Sequence, residues 1–146
     1  MAKFARDVMT PDPACCTPTT PLDEVAKLMV QNDCGEIPVV DPADQIIGVV
    51  TDRDIVCRVV AEGKNPMAYS AEICMSDPVV TVRTDTLLDE VVATMERHQI
   101  RRVPVVDEHD SLVGIISQAD VSWAGAPREV AKLVREVSRD TGHESH

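Results

Sequence analysis

Aromatic side chains are nearly missing: one Phe, one Tyr and one Trp in 146 residues. Val, Ile, Leu, Ala and Met must therefore fill any core, and 44% hydrophobic with 27% charged residues marks an ordinary globular chain, not a disordered one. Long apolar runs are missing too. None approaches the roughly 18 residues needed to span a bilayer. Met1-Ala2-Lys3-Phe4-Ala5-Arg6-Asp7 has no apolar stretch of the secretory kind, so a cytoplasmic protein is expected. Positive charge is scarce, with 14 Lys and Arg against 25 Asp and Glu and a net charge of −11. Nucleic acid and anionic membrane are thereby excluded as general partners, because both reward positive charge. A local basic pocket for one small anion remains open. Cysteine pairing signals are absent as well: five cysteines make an odd number, with no C-x-x-C spacing. Free buried thiols in a reducing compartment are the expectation.

What is present is a repeat. At an offset of 66 residues Leu22-Asp23-Glu24-Val25 falls on Leu88-Asp89-Glu90-Val91, and Met29 falls on Met95. Pro38-Val39-Val40-Asp41 falls on Pro104-Val105-Val106-Asp107, Gly48 on Gly114, Thr51 on Ser117 and Asp54 on Asp120. Met9-Thr10 lands on Met75-Ser76. Identities at one fixed offset do not arise from composition, so the chain is a tandem duplication.

Each copy has the same local grammar. Thr20-Pro21-Leu22-Asp23-Glu24 predicts a helix start with hydroxyl N-cap, Pro at N1 and acids in the first turn. Leu22, Val25, Ala26 and Met29 form one apolar face, which Leu88, Val91, Val92 and Met95 repeat. Ile37-Pro38-Val39-Val40 is a short strand whose Pro places it at a strand start or an edge. Asp41-Pro42-Ala43-Asp44 turns into the strand Ile46-Ile47-Gly48-Val49-Val50, and Thr51 opens a second helix. The expected class is α/β: a pseudo-two-fold pair of β-α-β-β-α units. The boundaries are 6–62 for unit 1, 63–73 for a linker with a short helix (Ala68 to Met75) leading into copy two, and 74–123 for unit 2. Val130, Leu133, Val134 and Val137 predict an amphipathic C-terminal helix over 127–140.

The pattern helix, h-P-V-V-D, turn, G-h-h-[T/S]-x-x-D, occurring twice over roughly residues 6–123, resembles the CBS (cystathionine β-synthase) domain in a tandem pair. Thr51-Asp52-Arg53-Asp54-Ile55-Val56 and His98-Gln99-Ile100-Arg101-Arg102-Val103-Pro104 are similar to small stand-alone bacterial members. The resemblance implies a disc-shaped module that often dimerises and commonly binds adenosine-containing ligands in clefts between the units: AMP, ADP, ATP, S-adenosylmethionine or NAD. Such modules regulate a protein partner; this sequence brings no barrel, kinase or transmembrane domain with it.

The site residues also read in their own right. Gly48 allows close backbone approach, and Thr51 begins a helix whose free N–H groups favour an anion. The Thr51 hydroxyl can donate to a phosphate, and Asp54, one turn on, can accept from vicinal ribose hydroxyls. Ser117 and Asp120 reproduce the pair. The plainer alternative is that Thr51 and Ser117 are N-caps and Asp54 and Asp120 first-turn acids. The copies part company before h-P-V-V, where copy two has Arg101-Arg102 and copy one Gly35-Glu36. In the family, basic residues here reach ligand phosphates, and an arginine fork suits that task. The stronger site is therefore expected on Thr10, Arg101, Ser117 and Asp120, and the weaker on Thr51, Asp54 and a borrowed Arg102. Surface ion pairing with Glu96, Asp107 or Glu108 is the plainer reading of the arginines.

Other candidates carry less. Asp52 and Asp54 point to different sides of a helix, His98 and His109 fall at a helix end and a turn, and Met9 and Met75 read as core. Cys15-Cys16 lacks partners at ligand spacing, and Trp123 is a packing anchor before it is a ligand stack. No catalytic residue, resident cofactor or metal is expected, since no nucleophile–base pair, metal cluster or Walker-type loop appears. The expected function is a regulatory sensor, acting as a homodimer or on a protein partner. The alternative is a stress-associated scaffold or thiol-sensitive interaction protein that binds no nucleotide.

Overall fold

The structure is a computed structural model that describes residues 3–76 and 79–123. The expected C-terminal helix over 127–140 and the side chain of Trp123 lie outside the described residues. The elements are α1 (Ala5–Val8), β1 (Thr10–Pro11), α2 (Leu22–Gln31), β2 (Glu36–Val40), β3 (Ile46–Thr51) and α3 (Asp52–Ile55). A π-helical turn (Val56–Val60) and two 3-10 turns (Pro66–Ala68 and Ala71–Ile73) follow. The rest are β4 (Val82–Arg83), α4 (Leu88–His98), β5 (Arg102–Val106), β6 (Leu112–Ser117) and α5 (Gln118–Trp123). This is a mixed α/β architecture in which both copies carry the helix, strand, strand, helix order read from the sequence.

The chain forms two compact units: one of residues 1–13, 80–108 and 113–146, the other of 14–79 and 109–112. The leading segment of the chain thus belongs with copy two, and the segment joining the copies belongs with copy one. In the first unit the sheet order is β1-β6-β5-β4, with Thr10 opposite Ile115 antiparallel and Val82 opposite Val105 parallel. In the second unit β2 and β3 pair antiparallel, and single bridges flank them: Cys16 with Val39 parallel and Ser76 with Val49 antiparallel. Each bridge is the repeat mate of a pair in the first unit. The duplication therefore holds at the level of register, although the flanking strands shrink to one residue.

The cores obey the same offset. Leu22, Val25, Met29, Ile37, Val39, Val50 and Ile55 are buried in the second unit, and Leu88, Val91, Met95, Val103, Val105, Ile116 and Val121 in the first. Ala5 and Ala71 are also mates, each buried in the unit of the other copy's body. Cys16 occupies the place of Val82 and is buried as a small apolar side chain.

Four local expectations are corrected. Pro21, extended at φ −60° and ψ 145°, is the N-cap of α2, and the helix begins at Leu22 without a side-chain cap. Thr20 instead accepts the Thr17 N–H at 3.0 Å, closing the preceding turn, as Thr86 accepts that of Arg83 at 2.9 Å. Pro38 and Pro104 are internal to β2 and β5, not at a strand start. β5 is an inner strand, whereas β2 lies in a two-stranded sheet, so the edge reading holds for Pro38 alone. Only alternate N–H groups of a strand face a given neighbour, so one missing donor is tolerated there. The segment Ala68 to Met75 makes no continuous helix; its 3-10 turn is preceded by Ser70, which bridges to Pro21. Finally, Gly48 and Gly114 make room for methionines. A Cβ on Gly114 would run into Sδ and Cγ of Met9, and one on Gly48 would lie 3.0 Å from Met75 Sδ.

Candidate functional site

Both candidate sites begin where the second strand of the repeat, β3 or β6, hands over to a short helix. Thr51 ends β3 with φ −105° and ψ 161°, and its side chain and that of Asp54 form a capping box. The Asp54 N–H donates to Thr51 Oγ1 at 3.0 Å, and the Thr51 N–H donates to Asp54 Oδ2 at 3.0 Å. At Ser117 the Asp120 N–H donates to Oγ at 3.3 Å, while the Ser117 N–H donates to Asp120 Oδ2 at 2.8 Å. Ser117 Oγ also donates to Asp120 Oδ2 at 3.1 Å, so the proton of this hydroxyl is engaged within the box. Thr51 only accepts in its box and keeps a proton for another acceptor.

These boxes change how an anion would be met. The first N–H of each helix is taken by the second residue before h-P-V-V: Asp52 N–H donates to Gly35 O at 2.9 Å and Gln118 N–H to Arg101 O at 3.2 Å. Arg53 N–H donates to Asp52 Oδ1 at 2.8 Å. The helix-start donors of copy one, read in the sequence as free for an anion, are thus already satisfied. An anion there would rely on side chains.

The structure brings the four residues of the expected stronger site into one unit. Arg101 is fixed through its carbonyl to the start of α5, beside the Ser117–Asp120 box. Thr10 is exposed on β1 opposite Ile115, two residues along β6 from Ser117. The same unit holds Arg102, half-buried at the start of β5, whereas Thr51 and Asp54 belong to the other unit.

One residue at the site went unread in the sequence. Arg58 Nε lies 3.9 Å from Asp54 Oδ1, and its Nη1 donates to the Cys74 carbonyl at 3.3 Å. The signal was available: an acid followed four residues later by a base is a favoured helical pair. At the repeat mate of Arg58 the sequence has Ala124.

The thiols differ in exposure and in ionisation. All five cysteines are free. Burial pushes the Cys16 thiol up to about 12, with Cys15 and Cys74 nearby adding to the effect. Cys74 is raised by burial and then by Asp54, against the opposing pull of Arg58, and exposed Cys15 is raised by burial and then by Asp44. A raised pKa suppresses the thiolate that reacts or binds metal. Among the described residues no three His, Cys, Asp or Glu side chains group as a metal site, and no buried side-chain N or O lacks a partner. Among the described residues no helix is long and apolar enough to cross a membrane.

Comparison with known proteins agrees with the repeat. The CBS domain family model matches residues 5–61 and 71–125. Hypoxic response protein 1 of Mycobacterium tuberculosis is 36% identical over 133 residues, covering 91% of this chain and 92% of that protein. Its namesake crystal structure, Hypoxic Response Protein I with two coordinated zinc ions, superposes with TM-score 0.76 at 35% identity, over 83% of this chain and 98% of that one. An uncharacterized protein of Methanopyrus kandleri is 39% identical over 134 residues; the match takes 92% of this chain but only 65% of that one. The CBS domain pair of protein MJ0100, solved in complex with 5′-methylthioadenosine and S-adenosyl-L-methionine, matches with TM-score 0.75 at 26% identity, over 88% of this chain and 99% of that one. Two matched stretches, one repeated register and one repeated capping box lead to the same place: the chain belongs to the CBS domain family, as a tandem pair.

Proposed function

We propose that this CBS pair is a regulatory sensor of an adenosine-containing ligand: an adenine nucleotide, S-adenosylmethionine or NAD. The observation that carries the reading is the convergence of Thr10, Arg101, Ser117 and Asp120 in one compact unit. Asp120 accepts from the ribose hydroxyls, Arg101 takes phosphate by its fork, and Thr10 supplies a hydroxyl donor, joined by Ser117 once its hydroxyl turns from Asp120 to the ligand. Thr51 and Asp54 form the weaker site. The MJ0100 complex, with two adenosyl ligands on a related pair, supports the ligand class.

The module works in the cytoplasm as a homodimer and signals to a protein partner or to its own twin. Signalling needs a ligand with unequal affinity for two packings, because equal affinity shifts nothing. It is a binding function and not a catalytic one. A thiol-sensitive role would fall to the exposed Cys15 and Cys57 or to Cys34, because Cys16 and Cys74 are buried and their ionisation is suppressed.

Thermal shift with AMP, ATP, NAD and S-adenosylmethionine tests the proposal. One of them raises the melting midpoint of the wild type, and Asp120→Ala abolishes the rise. A wild-type midpoint unmoved by all four would transfer the function to a protein-binding scaffold.

A further inference from the structure

The two ribose-facing carboxylates are not in the same state. Asp120 uses Oδ2 for the Ser117 N–H and hydroxyl, and its Oδ1 has no partner among the described residues. Asp54 uses Oδ2 for the Thr51 N–H, and its Oδ1 faces the Arg58 guanidinium at 3.9 Å. Arg58 is itself tethered, since Nη1 donates to the Cys74 carbonyl at 3.3 Å. Asp54 is the less exposed partner, with 15% of its side chain accessible against 53% for Arg58.

Arg58 owes this position to the chain that follows Asp54. After Ile55 the helix widens into the π turn Val56–Val60, where Ala61 N–H reaches back to Val56 O at 2.8 Å and Lys64 N–H to Val59 O at 2.9 Å. Local π turns are often retained at functional positions. Ile55 and Val59 are buried, which fixes the side of the helix that Arg58 presents. In copy two the charge is missing from the sequence altogether, because Ala124 takes the place of Arg58.

Resting on the ribose role proposed for Asp54 and Asp120, we infer that Arg58 is a specificity-determining competitor for the diol. It occupies the acceptor oxygen that a ribose would use, and so makes the Thr51/Asp54 site the weaker one. This cause is separate from the Gly35-Glu36 substitution. It acts at the sugar end of the ligand, whereas the missing arginines act at the phosphate end. A contact of 3.9 Å is loose for a charged pair, so a diol displaces it at modest cost.

Isothermal titration of the full chain tests the inference in an Asp120→Ala background, which isolates the Asp54 site. Adding Arg58→Gln should tighten AMP binding about fivefold, the effect of a half-exposed ion pair. Arg58→Lys, which keeps the charge, should hold affinity near the parent. The gain should vanish with 2′-deoxy-AMP, which has no diol; a change in fold stability alone would treat both probes alike. AMP affinity unchanged or weakened by Arg58→Gln overturns the inference, as does an equal gain with 2′-deoxy-AMP. If AMP binds the wild type through Asp120 and Arg58→Gln adds nothing, the inference alone fails. If AMP binds neither the wild type nor any variant, the ribose reading fails and takes the inference with it.

Discussion

The unit built on copy two and the unit built on copy one have matching cores, registers and capping boxes, yet their candidate sites carry different residues. In the first, Arg101 stands beside Ser117 and Asp120, and one Asp120 oxygen has no partner among the described residues. In the second, Gly35 and Glu36 replace the arginines and Arg58 leans on Asp54. Duplication preserved what packing demands and let go what only a ligand would test. Buried positions tolerate little change in volume, whereas a half-exposed polar position can change at small cost to the fold.

If that comparison is right, matched substitutions should behave alike in the cores and differently at the sites. The largest effects are in the cores. Leu22→Ala and Leu88→Ala should each cost about 3 kcal/mol in denaturant unfolding, because each empties a buried helix face. A cost confined to one unit would break the equivalence of the cores. The glycines come next and should already diverge. Gly114→Ala forces the whole Met9 side chain aside and should cost about 2 kcal/mol, while Gly48→Ala displaces a more distant Met75 and should cost under about 1 kcal/mol. Equal thermal midpoints for the two variants would remove this asymmetry.

The caps should cost less and affect ligand unequally. Thr51→Ala and Ser117→Ala should each lose about 1 kcal/mol of stability, since each removes the acceptor for a helix-start N–H. Only Ser117→Ala should sharply weaken nucleotide binding, read by titration with AMP.

The smallest effect is absent at neutral pH. Cys16 ionises at about 12 in the fold against an ordinary 9.0, so the folded state holds its proton longer than the unfolded state. Its contribution is complete below pH 9 and declines as pH rises toward 12. Cys16→Val, which copies Val82, should leave the midpoint unchanged at pH 7 and soften the alkaline loss. An alkaline limb identical to that of the wild type would show that Cys16 is not its source.

Most of the fold was legible in the sequence, and for a simple reason. An offset of 66 residues places most buried positions of one copy on a buried mate, and apolar spacing at helix and strand periods needs no tertiary information. Thr51, Asp54, Ser117 and Asp120 were legible as helix-start pairs because capping depends on residues three apart. The segments least determined locally were read less well. The stretch from Ala68 to Met75 scans as a helix, but Ser70 pairs with Pro21 and breaks it into turns.

The sequence by itself determined the duplication, the α/β class, the two cores and the capping pairs, all of which rest on short-range periodicity and on identities at one offset. Only the tertiary structure decided which leading segment completes which unit, because a strand of one or two bridges takes its partner from the sheet it meets. Only the tertiary structure placed Met9 over Gly114 and joined Thr10 to the unit of Ser117 and Asp120. It also showed Arg58 against Asp54 Oδ1, where Asp120 Oδ1 has no partner among the described residues. Those contacts depend on distance in space, which a spacing along the chain does not encode.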